Sequence, residues 1–106
     1  MEPLLLRDIA AQSGVTGAAL LDGEGFVLFS EPQHDDSAQH LGKAIALLDP
    51  SFSNGRVTLN GENGTVIVQE LSGNRVLVVR CSVSSNLGQL RHMLDEATVR
   101  FNALLP

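Results

Sequence analysis

The feature that most constrains the fold is the stretch between Arg56 and Cys81, where three apolar runs alternate with short polar segments. The runs are rich in Val, Ile and Thr, which favour strands, and the segments between them are rich in Asn, Gly and Ser, which favour turns. Strands that are joined by such short turns run antiparallel. The pattern therefore predicts a three-stranded meander over residues 56–59, 65–71 and 75–81.

A first hairpin is predicted before this meander. Residues 17–21 and 26–30 are apolar, and the segment Asp22-Gly23-Glu24-Gly25 between them tolerates positive φ. Gly23-x-Gly25 resembles the start of a dinucleotide-binding fingerprint, but its third glycine is missing and the segment joins two strands. We interpret it as a hairpin turn, so that the chain contains five antiparallel strands.

Three helical patterns accompany the strands: residues 3–11, residues 36–49 after the capping residue Asp36, and a last helix that begins at the capping pair Asn86 and Gln89. In the last pattern apolar side chains step by three and four: Leu87, Leu90, Leu94, Ala97, Phe101 and Leu104. The order α-β-β-α-β-β-β-α predicts an α+β fold with a five-stranded antiparallel sheet sandwiched by helices. A length of 106 residues suits a single domain, residues 1–106.

Composition argues against several classes of ligand. The formal net charge is −5, aromatic residues make up 4% with no Trp or Tyr, and the seven basic residues do not cluster. Nucleic acid is therefore an unfavourable ligand, because it needs cations for its phosphates and rings for its bases. One cysteine, no secretory signal and no run of about 20 apolar residues predict a cytoplasmic protein without membrane insertion.

Catalytic and metal-binding candidates are sparse. His34, Asp35, Asp36 and His40 could gather as metal ligands at a helix start, but acids there more often complement the helix dipole in solvent. No serine lies in a G-x-S-x-G elbow, and Cys81 ends an apolar strand, where a thiol is usually inert packing. We expect no enzymatic activity, no cofactor and no metal. His92, Asp95 and Glu96 in the last helix are interpreted as a solvated face.

The second predicted helix has more apolar surface than one sheet needs. Ala38, Leu41, Ile45 and Leu48 form one face, and Ala44 and Leu47 extend it sideways. The strand at residues 56–59 is expected to expose a sheet edge, which proteins usually cover or pair. Together these features predict a homodimer.

Two segments resemble a known family. The run from Ser13 to Leu28, SGVTGAALLDGEGFVL, resembles the opening strands of the roadblock/dynein light-chain family. The run from Asn86 to Arg91, NLGQLR, is similar to the start of that family's last helix. The distance between the two motifs and the order of elements agree with the family over nearly the whole chain.

The resemblance implies a roadblock/profilin-like homodimer in which the second helices pack side by side and the third strands pair edge to edge. It also implies a non-catalytic scaffold or regulator of a small Ras-like GTPase, as in bacterial and archaeal members, while eukaryotic members serve as dynein light chains or GTPase scaffolds. The expected dimer and partner interface comprises His40, Lys43, Ala44, Leu47, Arg56 and Thr58.

Two alternative functions remain open: a small-molecule sensor of the PAS type, and a structural adaptor like a dynein light chain. A sensor usually encloses a pocket with polar groups inside, whereas the strands here contain Val, Ile and Leu and predict a filled core.

A direct activator of GTP hydrolysis commonly inserts a mobile, exposed arginine toward the phosphates. Arg56 is the best placed candidate for such an arginine finger, but no arginine has a predicted environment that identifies it as one. We therefore expect any effect on hydrolysis to come from the GTPase's own switch loops.

Overall fold

The computed structural model describes residues 2–31, 55–62, 64–83 and 86–104, and these residues form two helices and five strands. The elements, in chain order, are α1 (Glu2–Ala10), β1 (Val15–Asp22), β2 (Val27–Glu31), β3 (Arg56–Gly61), β4 (Gly64–Leu71), β5 (Arg75–Cys81) and α2 (Leu87–Ala103). The five predicted strands and the first and last predicted helices are thereby confirmed. The helix predicted over residues 36–49 lies outside the described residues.

The β3–β4 hairpin is longer than the sequence predicts. Asn60 pairs with Thr65, and Gly61 pairs with Gly64, so these four residues belong to the strands and the turn is shorter than the predicted five residues. The Thr65 hydroxyl donates to the Asn60 side-chain oxygen at 3.0 Å, and this bond stabilises the extended end of the hairpin. A prediction from polar composition alone therefore made this turn too long.

The strands form one antiparallel sheet in the order β2-β1-β5-β4-β3. β2 and β3 are the two edges, although they follow one another along the chain. The edge position expected for residues 56–59 is confirmed. Residues 32–55 connect the two edges, and this connection is the crossover that the sequence predicts.

Both described helices pack on one face of the sheet. The core on this face is apolar: Leu6, Ile9, Ala18, Leu20, Ile67, Leu71, Leu77, Val79, Cys81, Leu90, Leu94, Ala97 and Phe101 are buried there. The predicted stripe of α2 is confirmed for Leu90, Leu94, Ala97 and Phe101. It is wrong for Leu104, which lies beyond the helix and is exposed. Neither described helix is long and apolar enough to cross a membrane.

The opposite face of the sheet carries a second apolar cluster, as expected where successive strand residues point to opposite sides. Its buried members are Ala19, Leu21, Val68 and Val78, and its half-buried members are Val27, Val57, Val66 and Val76. Both faces of the sheet are thus apolar over the described residues. This accounts for the near-continuous apolar runs of β4 and β5, where a sheet with one solvated face would show alternation.

Side-chain oxygens cap the start of the last helix and accept hydrogen bonds within the turn of the first hairpin. Asn86 precedes α2 with an extended backbone, and its side-chain oxygen accepts from the Gln89 amide at 3.2 Å, which confirms the predicted cap. In the β1–β2 turn an Asp22 carboxylate oxygen accepts from the amides of Glu24 and Phe26 at 2.9 and 3.0 Å. Gly25 has φ of 90° in this turn, which confirms the hairpin interpretation.

Candidate functional site

Two of the six predicted interface residues lie in β3, and the other four lie outside the described part of the chain: His40, Lys43, Ala44 and Leu47. The metal candidates His34, Asp35 and Asp36 also lie outside it. Arg56 and Thr58 pair with Gln69 and Ile67 across the β3–β4 ladder. Their side chains therefore project to the face that the helices cover.

The β3 edge is a regular strand. Six successive pairs join it to β4, from Arg56 with Gln69 to Gly61 with Gly64, and no shift interrupts the register. On its other side β3 pairs with none of the described strands. An edge of this kind presents a row of backbone donors and acceptors that can accept another strand.

The β2 edge has a different geometry. Leu20 pairs with Phe29 and Leu21 pairs with Val27, so Leu28 is an extra residue in β2 and the register shifts there. Such a bulge twists the strand and interrupts the ladder, which is a common way to protect an edge from further pairing. The two edges of the sheet are thus unequal, and β3 is the one suited to accept a strand.

The outward side of β3 is partly apolar. Val57 is half-buried beside the second cluster, and Leu59, two residues further along, is 44% exposed. Both side chains lie on the sheet face opposite α1 and α2, since they alternate with Arg56 and Thr58. The β3 edge therefore carries one exposed leucine beside its unpaired backbone, and a single exposed apolar side chain is common on protein surfaces.

Arg56 is held at both ends of its guanidinium. Its Nε donates to Gln69 Oε1 at 2.6 Å, and its Nη2 donates to Asp95 Oδ1 of α2 at 2.7 Å. The Arg56 side chain is 20% exposed, whereas that of Asp95 is 66% exposed. The arginine therefore bridges the edge strand and the last helix. A finger needs a mobile, exposed arginine, whereas the Arg56 guanidinium here donates to two side chains and is 20% exposed.

Gln69 connects this arginine to the start of the edge strand. The residue is only 6% exposed, and its Nε2 donates to the carbonyl oxygens of Gly55 and Glu70 at 3.3 and 3.0 Å. Gly55 has φ of 71°, a left-handed conformation that glycine adopts readily. One buried amide thus contacts Gly55, the residue that directly precedes β3, and the next residue of its own strand. Buried polar groups of this kind need partners, because unsatisfied ones are costly.

Two further candidate side chains of the sequence analysis, Cys81 and His92, lie in the described residues. Cys81 is buried, and desolvation raises the pKa of its thiol above the ordinary value of 9.0, which agrees with the predicted packing role. His92 Nε2 lies 3.2 Å from Glu96 Oε1 on the exposed face of α2. Within residues 2–31, 55–62, 64–83 and 86–104, no group of three metal-binding side chains could hold an ion.

Two surface depressions of about 410 Å³ each are open to solvent. One lies between α1 and α2 over Leu5, Ile9 and Met93, and the other lies at the end of the β3–β4 hairpin beside Leu59 and Arg80. Neither is the enclosed pocket that the PAS alternative requires. The core under the helices is filled by fully buried Leu, Ile, Val and Phe side chains, as the strand sequences predict.

Solved structures resemble this chain in fold, whereas the two sequence comparisons found no match. No protein-family model matches it, and no curated protein matches its sequence. The crystal structure of a Roadblock/LC7 domain from Streptomyces avermitilis is similar with a TM-score of 0.81, over 97% of this chain and 96% of that one, at 16% identity. The chain has the roadblock fold.

Further solved structures are similar to this chain in fold. Gliding protein MglB from Thermus thermophilus has a TM-score of 0.77 at 19% identity, over 94% of this chain and 84% of that one. Profilin IB from Acanthamoeba castellanii has a TM-score of 0.68 at 16% identity, over 96% of this chain and 97% of that one. The predicted roadblock/profilin-like architecture is thereby confirmed.

The sequence interpretation missed Gln69 and Asp95 as members of the β3 site. Asp95 was grouped with a solvated helix face, although its carboxylate binds an arginine 39 residues away along the chain. A signal for Gln69 was present, because it is polar at a position that alternates with Ile67 and Leu71 on an apolar strand face. A polar residue at such a position indicates a buried hydrogen-bonding role.

Proposed function

We propose that this chain is a non-catalytic, homodimeric regulator of a small Ras-like GTPase in the cytoplasm. The observation that carries the proposal is the regular β3 edge, which pairs on its outer side with none of the described strands, in a sheet with the roadblock fold. The bulged β2 edge supports the same choice of pairing side. In this proposal two β3 strands pair across a two-fold axis, and the sheet continues through both subunits.

The GTPase partner follows from the two sequence motifs that resemble the roadblock/dynein light-chain family. The proposed docking face, which the resemblance implies, contains His40, Lys43, Ala44 and Leu47 from both subunits. Arg56 does not reach the nucleotide in this proposal, because its guanidinium donates hydrogen bonds to Gln69 and Asp95. Any acceleration of hydrolysis then comes from a change in the GTPase's switch loops.

The homodimer is tested by sedimentation or light scattering at micromolar concentration. The expected mass is twice the monomer mass of 11.3 kDa. Leu47→Asp should shift the equilibrium to monomer, because burying an unpaired carboxylate in an interface is costly. Leu28→Asp is the matched control, since Leu28 is already exposed at the bulged edge. A wild-type protein that stays monomeric at all these concentrations would contradict the proposal.

The GTPase partnership is tested with a purified small Ras-like GTPase from the same organism, loaded with GTP or GDP. We expect nucleotide-dependent binding, which Lys43→Glu weakens, because a reversed charge at an interface slows association. Arg91→Glu reverses a charge on the exposed side of α2 and is the control. Equal binding of wild type and Lys43→Glu would remove the docking face from the proposal.

Single-turnover GTP hydrolysis separates direct from indirect activation. At concentrations at which the protein is fully dimeric and all of the GTPase is bound, Arg56→Ala should accelerate GTP hydrolysis as much as wild type does. If Arg56→Ala binds normally and loses the acceleration, then Arg56 acts as a finger and the indirect mechanism is wrong.

A further inference from the structure

The side chains of Arg56, Gln69 and Asp95 form a connected chain of hydrogen bonds that joins three elements. It runs from the Gly55 carbonyl through Gln69 of β4 and Arg56 of β3 to Asp95 of α2. These residues are far apart in sequence, so the folded sheet and the packed α2 must both form before the chain of bonds closes. We refer to these three side chains as the edge clamp.

The edge clamp has one buried end and one exposed end. Gln69 is buried among the β4 side chains that face α2, whereas Asp95 is largely exposed. The Arg56 guanidinium satisfies the buried amide oxygen with one nitrogen and the carboxylate with another. A guanidinium has the planar geometry for this double role, and a lysine ammonium lacks it.

We infer that the edge clamp holds the beginning of β3 in the geometry that pairing with another strand requires. The inference rests on the proposed homodimer, in which β3 is the paired edge. Without the clamp, the contacts that attach β3 to the sheet within the described residues are its ladder with β4, the bond between the Thr65 and Asn60 side chains, and its half-buried side chains. An edge strand with few buried contacts opens readily, and an open strand must be ordered again before it binds. Arg56 is therefore a positioning residue for the interface.

The clamp also connects the interface to α2. The same Arg56 side chain donates to Gln69 of β4, the strand next to β3, and to Asp95 of α2. A change of charge at Asp95 should consequently alter dimerisation, although Asp95 lies on a helix and not on the paired strand. This coupling distinguishes a positioning role from a local contribution to the stability of α2.

The test measures the dimer dissociation constant by sedimentation equilibrium and the hydrogen exchange of β3 amides by mass spectrometry. Arg56→Met keeps an unbranched, largely apolar side chain like the arginine stem and removes the guanidinium donors, and we expect the dissociation constant to rise about tenfold. Asp95→Asn keeps the shape and removes the charge at an exposed position, and we expect a rise of about two- to fivefold. In both variants β3 should exchange faster, while β1 and β5 keep their wild-type exchange.

Two further variants serve as references. Glu96→Gln weakens the neighbouring His92 pair, which lies entirely within α2, and should leave both measurements unchanged. Arg56→Lys keeps the charge but not the fork of donors, and it should resemble Arg56→Met if geometry matters more than charge. Asp95→Asn substitutes an exposed side chain, so it tests the clamp even if Arg56→Met folds poorly.

Three outcomes would be decisive. Unchanged dissociation constants and unchanged β3 exchange in Arg56→Met and Asp95→Asn would overturn the inference. Equally faster exchange throughout the sheet would overturn it too, because the side chains would then stabilise the fold as a whole. If the wild type is monomeric, the proposed homodimer fails, and β3 exchange in the monomer still decides whether the clamp orders this strand.

Discussion

Leu94→Ala should lower the free energy of unfolding by about 3 to 5 kcal/mol. Leu94 is 0% exposed and lies in the cluster between α2 and the sheet. The substitution removes three buried carbon atoms, each of which contributes about 0.8 kcal/mol through its transfer from water. The remainder of the loss comes from the cavity, because a packed core relaxes only partly around a deleted side chain.

Urea denaturation followed by far-ultraviolet circular dichroism is the suitable assay, because the chain contains no Trp or Tyr for intrinsic fluorescence. All samples must have the same concentration, since a dimer's stability depends on it. Val99→Ala is the matched control, because Val99 lies in the same helix and is 70% exposed. A loss below about 0.5 kcal/mol for Leu94→Ala, within the range of an ordinary surface substitution, would refute the packing of α2 against the sheet.

Three further substitutions test local features of the fold. Asn86→Ala should lower the free energy of unfolding by about 1 kcal/mol, because the Gln89 amide loses its acceptor, and an unchanged urea midpoint would contradict the cap. Gly64→Ala should cost more than about 1 kcal/mol, since Gly64 has φ of 142° and an added Cβ would overlap the Cys81 carbonyl oxygen; an equal melting temperature would refute this. Burial raises the pKa of the Cys81 thiol, so the unfolded chain ionises first and stability should fall above about pH 9. Cys81→Ala should reduce that fall, and an identical pH profile would argue against burial.

Periodicity was sufficient to predict the elements with strong local patterns. The apolar steps of α2 and the β-branched runs of β4 and β5 lie where the sequence places them, because burial selects apolar residues at the period of each element. Turn boundaries were less accurate at the β3–β4 hairpin. There Asn60 and Gly61 continue the strand, because cross-strand pairing outweighs their preference for turns.

The amino-acid sequence alone determines the α+β class, the five strands, the two described helices and the resemblance that points to the roadblock fold. These features depend on local propensity and on the alternation of apolar residues, both of which are visible in a short window. The edge clamp and the inequality of the two sheet edges depend instead on pairings between residues distant in the chain. Gln69 meets Arg56 only across a ladder, and Asp95 reaches them only after α2 packs on the sheet. Such contacts are decided by register and helix packing, which no local pattern encodes.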